Sequence, residues 1–174
     1  AFTTKGTWMT NAVGQVIIQH GENVVYKLPP YDPASPDYGF NAEDAQFLGD
    51  NGFNTVRLGV IWAAVEPEPG VYNDAYLASI ASTVQLLADN GVYSLIDLHQ
   101  DSYSTVFSGE GAPVWATQTG PWPNINVGFP ANYFLNPAQN YAWDALWLNK
   151  PGPGGVGLVD RYAAMSEHVA AYFN

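Results

Sequence analysis

Twice in this chain a helical stretch ends on Asn-Gly and an apolar strand follows almost at once. Asn51-Gly52 precedes residues 54–60 (NTVRLGV), and Asn90-Gly91 precedes residues 92–99 (VYSLIDLH). Glycine is suited to the left-handed residue that ends a helix, so the helix-to-strand connections are very short. The strand-to-helix connections, after Lys27, Val60 and His99, are long. Strands and helices that alternate in this way predict an α/β fold with a parallel sheet. The asymmetry of the connections places the functional residues on one rim, at the carboxyl ends of the strands.

The rest of the chain fills in about three such βα units. The first opens with two short runs, residues 15–20 (QVIIQH) and 24–27 (VVYK), separated by Glu22-Asn23 and stopped by Pro29-Pro30, which cannot donate to a ladder. Residues 31–40 read as loop. Asn41 then suits an N-cap, with Glu43 and Asp44 in the first turn, for a helix carrying Ala45, Phe47 and Leu48. In the second unit Asn73 caps a helix whose Leu77, Ile80, Val84 and Leu87 recur at the spacing of one helical face. In the third, the segment from Gln100 to about Pro137 is long enough to suggest a functional loop. A helix near residues 138–149, a break at 151–155 (PGPGG) and a last helix with Leu158, Tyr162, Met165, Val169 and Tyr172 complete the chain.

Composition narrows the function. The 174 residues are 47% hydrophobic and 14% aromatic, which excludes a disordered chain. A net charge of −11 with only 5 Lys+Arg argues against nucleic acid, whose binding rests on basic residues, and against anionic membrane surfaces. With no cysteine there is no disulfide framework, thiol nucleophile or thiolate metal site. No apolar run approaches the roughly 20 residues a transmembrane helix needs.

The residues that could carry chemistry cluster at the end of the third strand. Asp97, His99 and Asp101 share one strand parity and follow the apolar Leu95-Ile96, which suits a polar pocket. The bland alternative is a buried Asp97–His99 pair with Asp101 capping a turn. A metal is not expected, because no further N or S ligand lies at a useful spacing. Arg57, inside an apolar strand, is expected to be buried and to orient a carboxylate or an amide; a structural ion pair is the alternative. Lys27, at the end of the first strand, could donate to a ligand or stay solvated. Ten aromatic residues from Tyr103 to Trp147 could stack on sugar faces or line a lipid groove, although most should anchor the loop. Glu66-Pro67 and Glu68-Pro69 read as a turn into a helix rather than a catalytic pair.

These segments resemble glycoside hydrolase family 5. Residues 54–80 (NTVRLGVIWAAVEPEPGVYNDAYLASI) are similar to its second βα unit. Residues 95–104 (LIDLHQDSYS) resemble the third strand end of its endoglycoceramidase branch, and residues 23–31 (NVVYKLPPY) and 109–116 (GEGAPVWA) extend the match. The resemblance implies the N-terminal portion of a (β/α)8 TIM barrel, with residues 1–174 forming part of one catalytic domain. It implies hydrolysis, with retention, of the β-glycosidic bond between oligosaccharide and ceramide in glycosphingolipids, by two Glu and without a cofactor. Lys27, His99 and Asp101 match positions that bind the sugar beside the cleaved bond, Trp147 matches a sugar-contacting Trp, and Arg57 matches the Arg that supports the nucleophile. Asp97 and Gln100 match structural residues.

The family's acid/base lies in an Asn-Glu-Pro motif at the fourth strand, and no such motif occurs here. Glu66, Glu68 and Glu110 are therefore not assigned to catalysis. The expectation is a chain that supplies sugar-binding residues while a complementary C-terminal chain of the same barrel supplies both Glu. A nicked, secreted bacterial enzyme fits that picture, and the start at Ala1-Phe2 fits a processed chain. The alternatives are a cellulase-like β-glucanase of the same family and a non-catalytic carbohydrate- or lipid-binding module. A doubly wound α/β domain would want a Gly-rich phosphate loop after the first strand, which Lys27-Leu28-Pro29-Pro30 does not provide.

Overall fold

The computed structural model describes residues 3–36 and 38–174. A small antiparallel hairpin, β1 (Thr3–Lys5) and β2 (Trp8–Thr10), opens the chain. The sequence analysis did not anticipate it. Three parallel strands follow, β3 (Gly21–Val24), β4 (Thr55–Ile61) and β5 (Tyr93–His99), in the order β3-β4-β5. β3 begins later than the apolar run at 15–20 suggests. The cause is Asn54: its side chain accepts from the His20 N–H and donates to the Ile18 carbonyl. Residues 18–20 are thus held by the side chain of Asn54 together with its backbone N–H, which donates to the His20 carbonyl at 2.9 Å. Gly21 then enters the sheet so closely that a Cβ there would lie 1.7 Å from the Thr55 carbonyl oxygen.

β4 is the central strand. Its Val56, Leu58 and Val60 are fully buried. They share one strand parity, and the helices α1 (Ala42–Asp50) and α3 (Asp74–Asp89) cover the core they belong to. α1 starts with a reciprocal capping box between Asn41 and Asp44. Asn73 caps α3 through the Tyr76 N–H. Leu77, Ile80 and Leu87 of α3 are fully buried as the spacing predicts, and Val84 is partly buried. On α1, Ala45 and Leu48 are buried and Phe47 is exposed.

A one-turn helix, α2 (Trp62–Val65), leads out of β4. It ends at Glu66, which is fully buried. The Glu66 carboxylate accepts from Trp62 Nε1 at 2.8 Å and from the Gly70 N–H at 2.7 Å. The first Glu-Pro pair therefore staples its loop. Beyond β5, a one-turn helix α4 (Asn132–Leu135), then α5 (Pro137–Trp147) and α6 (Leu158–Tyr172) close the chain. Leu158, Met165 and Val169 of α6 are buried, and α6 shares a cavity with Ile96 and Leu98 of β5. No helix among the described residues is long and apolar enough to cross a membrane.

The other face of the sheet is open. Register pairs Asn23 with Arg57, Arg57 with Leu95, and Gly59 with Asp97, so these side chains share that face. Leu95 is 49% exposed there.

Candidate functional site

Two backbone devices build the rim at the carboxyl ends of the strands. Just beyond β5, Ser102 and Tyr103 take left-handed backbone angles (φ 51° and 72°), uncommon for residues with a Cβ and typical of functional sites. The turn is held by neighbours. Ser102 N–H donates to the Tyr133 hydroxyl at 2.8 Å, and Tyr103 N–H to Gln100 Oε1 at 3.0 Å. The second device is a bridge in which Asp101 and Glu110 exchange both backbone hydrogen bonds, each 2.9 Å. Gly109 and Gly111 flank Glu110 and permit this approach. A Cβ on Gly109 would lie 1.9 Å from the Asp101 carbonyl oxygen, and one on Gly111 2.4 Å from Gln100 Cβ.

Four side chains converge there. The Lys27 ammonium hydrogen-bonds the Asp101 carboxylate and lies 3.8 Å from Glu110 Oε1. His99 Nε2 lies 3.5 Å from Glu110 Oε1 and 3.6 Å from Asp101 Oδ2. On its other edge His99 Nδ1 is 2.8 Å from Asp97 Oδ2. Arg57 Nη2 donates to that same Asp97 oxygen at 2.7 Å, and Arg57 Nη1 to Asn23 Oδ1 at 2.7 Å. A polar row thus crosses all three strands: Asn23, Arg57, Asp97, His99.

The charges in this cluster are unequal. The hydrogen bond it donates to Asp101 raises the Lys27 ammonium above its usual value, against the desolvation that would lower it. Burial alone would raise the Asp101 carboxyl, but the Lys27 hydrogen bond and charge outweigh it and hold it low. Glu110 goes the other way. Its burial, and next the Asp101 charge, push its carboxyl up to about 7 despite Lys27. Ligand atoms of His99, Asp101 and Glu110 lie within 4.8 Å of one another, a spacing a cation could use. The Lys27 ammonium already supplies that positive charge.

The residues singled out from the sequence are largely assembled here. Lys27, His99 and Asp101 meet directly, and Arg57 joins through Asp97. Arg57 is not buried, however: 44% of its side chain is exposed. The apolar neighbours that suggested burial point to the helix-covered face, whereas Arg57 points to the open one. Its partners are nonetheless a carboxylate and an amide. Trp147 stands apart, 73% exposed at the end of α5. It stacks near Trp143 at 6.4 Å between ring centres. It lines an apolar cavity of about 210 Å³ with Trp62, Trp143, Tyr162 and the edge of His99. Of the other loop aromatics, Tyr103 and Phe107 are buried anchors, while Trp122, Phe129 and Phe134 are exposed. The sequence reading named Glu110 only to leave it out of catalysis and gave it no place in the sugar site. Its signal was Gly109-Glu110-Gly111, a carboxylate between two glycines in a long loop.

Parallel strands, helices on one face and a charged, hydrogen-bonding cluster at the carboxyl ends define the ligand-binding rim of an α/β barrel-type fold. Comparison with known proteins supplies the family. Residues 17–126 match the cellulase family, glycosyl hydrolase family 5, and the chain belongs to it. Endoglycoceramidase I of Rhodococcus hoagii is 38% identical over 84% of this chain and 30% of its own length. An endoglycoceramidase of Cyanea nozakii is 37% identical over 95% of this chain and 37% of its own. Among solved structures, endo-glycoceramidase II from Rhodococcus sp. in complex with ganglioside GM3 superposes with a TM-score of 0.78 and 30% identity, covering 96% of this chain and 39% of that one. The chain therefore spans between 30% and 39% of these relatives' length, and its three βα units are part of a barrel.

Proposed function

We propose that this chain forms the sugar-binding side of a glycosidase that cleaves the β-glycosidic bond between oligosaccharide and ceramide in glycosphingolipids. The observation that carries the reading is the Lys27–Asp101–Glu110–His99 cluster at the strand ends, in a chain whose relatives are endoglycoceramidases. Lys27 offers N–H donors and Asp101 an acceptor to sugar hydroxyl groups. Arg57, through Asp97, holds the His99 ring. Trp147 offers an exposed aromatic face suited to stacking on a sugar ring.

The chemistry itself belongs to two further carboxylates. A retaining glycosidase places a nucleophile and an acid/base about 5–5.5 Å apart, flanking the bond to be cleaved. Asp101 and Glu110 do not flank anything: they sit side by side on one backbone bridge and converge on Lys27. In this reading both catalytic Glu come from the complementary C-terminal part of the barrel, on the same polypeptide or on a second chain.

The apolar cavity under Trp143 and Trp147, with the exposed Trp122, Phe129 and Phe134 on the long loop, favours a lipid aglycone over plain β-glucan. The test is hydrolysis of ganglioside GM3 and of carboxymethylcellulose by the assembled barrel. Release of intact oligosaccharide from GM3, with cellulose untouched, is expected. Cleavage of cellulose and not of GM3 would replace this reading with a β-glucanase. Sugar binding by this chain without any hydrolysis in the assembled barrel would make it a binding module.

A further inference from the structure

We propose that Glu110 is a positioning residue of the sugar site, and that its carboxyl group shares a single proton with the His99 imidazole. The proposal rests on the reading of this rim as a sugar site and adds a residue and a protonation state to it.

The argument begins on the far edge of His99. Asp97 accepts from Arg57 at 2.7 Å and lies 2.8 Å from His99 Nδ1. An anionic carboxylate so placed fixes the Nδ1 proton. Nε2 is then free to be either a donor or a lone pair. It lies 3.5 Å from Glu110 Oε1 and 3.6 Å from Asp101 Oδ2. Both Nε2 and Glu110 Oε1 are buried atoms without a hydrogen-bond partner, and Glu110 as a whole is 4% exposed. A lone pair facing two carboxylates is repulsive, and buried polar atoms left without a hydrogen bond keep their full desolvation penalty. One proton placed between Nε2 and Oε1 removes both penalties, whichever atom carries it.

The remaining neighbours decide why Glu110 rather than Asp101 is the partner. Lys27 is committed to Asp101 and stands 3.8 Å from Glu110. Tyr31, from the loop after β3, is the other titratable group that senses the Glu110 charge. Burial and the Asp101 charge both favour the protonated form of Glu110. With the proton in place, Lys27, Asp101, His99 and Glu110 sum to zero charge. Without it they sum to −1, and the Glu110 carboxylate competes with Asp101 for the Lys27 ammonium. The loaded state keeps Lys27 on Asp101, where both can meet sugar hydroxyl groups.

The experiment uses the assembled barrel and the variants Glu110→Gln and Glu110→Ala. A Gln amide has the shape of the protonated carboxyl, can donate to Nε2 at every pH and does not titrate. The first readout is the NMR titration of the Glu110 carboxyl carbon and the His99 ring nitrogens, which needs no substrate. A transition of the Glu110 carboxyl near pH 7 that is also registered at His99 Nε2 is expected; Glu110 in the ordinary carboxylate range, with no response at Nε2, would overturn the shared proton. The second readout is the inhibition constant of free lactose from pH 5 to 9. Wild type should weaken about tenfold per pH unit above that transition. Glu110→Gln should bind within about threefold of the wild-type acid-side value at every pH, and Glu110→Ala should bind weakly throughout. A Gln variant with the wild-type pH dependence would refute the positioning role. If lactose does not inhibit at any pH, the sugar-site reading falls, while the NMR titration still decides the proton.

Discussion

Replacing Gly109 with Ala should disable the rim without touching any of its functional side chains. Gly109 has no left-handed backbone angle, so the substitution brings no conformational strain of its own and the effect is purely steric. The new methyl would lie 1.9 Å from the Asp101 carbonyl oxygen and 2.8 Å from Ser102 Cβ. Ordinary contact requires the two segments to part by about 1.5 Å. That separation breaks both 2.9 Å hydrogen bonds of the Asp101·Glu110 bridge, worth about 1 kcal/mol each. The expected loss of about 2 kcal/mol should appear as a melting temperature lower by a few degrees. Function should suffer more, since a misplacement of about 1 Å can cost roughly a hundredfold in rate. The control is Gly52→Ala at the end of α1. Gly52 has φ 80° and no atom within 4 Å of an added Cβ, so it carries backbone strain of about 1–2 kcal/mol far from the rim. Thermal unfolding and GM3 hydrolysis of both variants in the assembled barrel form the assay. If Gly109→Ala hydrolyses GM3 as Gly52→Ala does, the bridge is not what positions Asp101 and Glu110.

Asp97→Asn should uncouple Arg57 from His99 by removing a charge-assisted hydrogen bond; a drop in kcat/KM of about two orders of magnitude is expected, together with a lower melting temperature. Leu77→Ala removes a fully buried α3 side chain and should destabilise by about 2–5 kcal/mol, read as a lower urea midpoint at unchanged m-value. Trp147→Ala, at an exposed position, should leave stability within about 0.5 kcal/mol while weakening lactose inhibition. Stability should also depend on pH through Glu110. Its folded value of about 7 lies above its ordinary 4.5, so between those two values the unfolded chain binds fewer protons and stability falls as pH rises. The full loss, about 3 kcal/mol, is reached above pH 7, and Glu110→Gln should abolish the slope in urea midpoints measured from pH 4.5 to 8.

The helices were legible because their ends are written locally. Asn41, Asn73 and the Asn-Gly pairs act on backbone groups a few residues away, and a sequence displays such short-range chemistry directly. β3 was misplaced because its lead-in is governed by Asn54, more than thirty residues downstream. Arg57 was expected to be buried because its neighbours in sequence are apolar, yet strand alternation turns those neighbours to the helices and Arg57 away from them. The strand-end residues His99 and Asp101 announced themselves by parity. Glu110 did not, since only the backbone bridge across the loop after β5 brings it to His99. What the sequence hid was contact across loops, whose register no periodicity reports.

The row Asn23, Arg57, Asp97 and His99 also bears on how the three strands choose their alignment. Aliphatic side chains on the helix-covered face are interchangeable: a slipped strand would still bury a Val where a Leu had been. The polar row is not. Slipping β5 by one residue against β4 would turn Asp97 and His99 toward the helices, among Val56, Leu58 and Val60, and part Asp97 from Arg57. A stranded charge in that layer costs several kcal/mol, so misregistered sheets are selected against even though they would bury comparable apolar area. The residues that hold the rim together thereby also proofread the pairing of the strands that carry it.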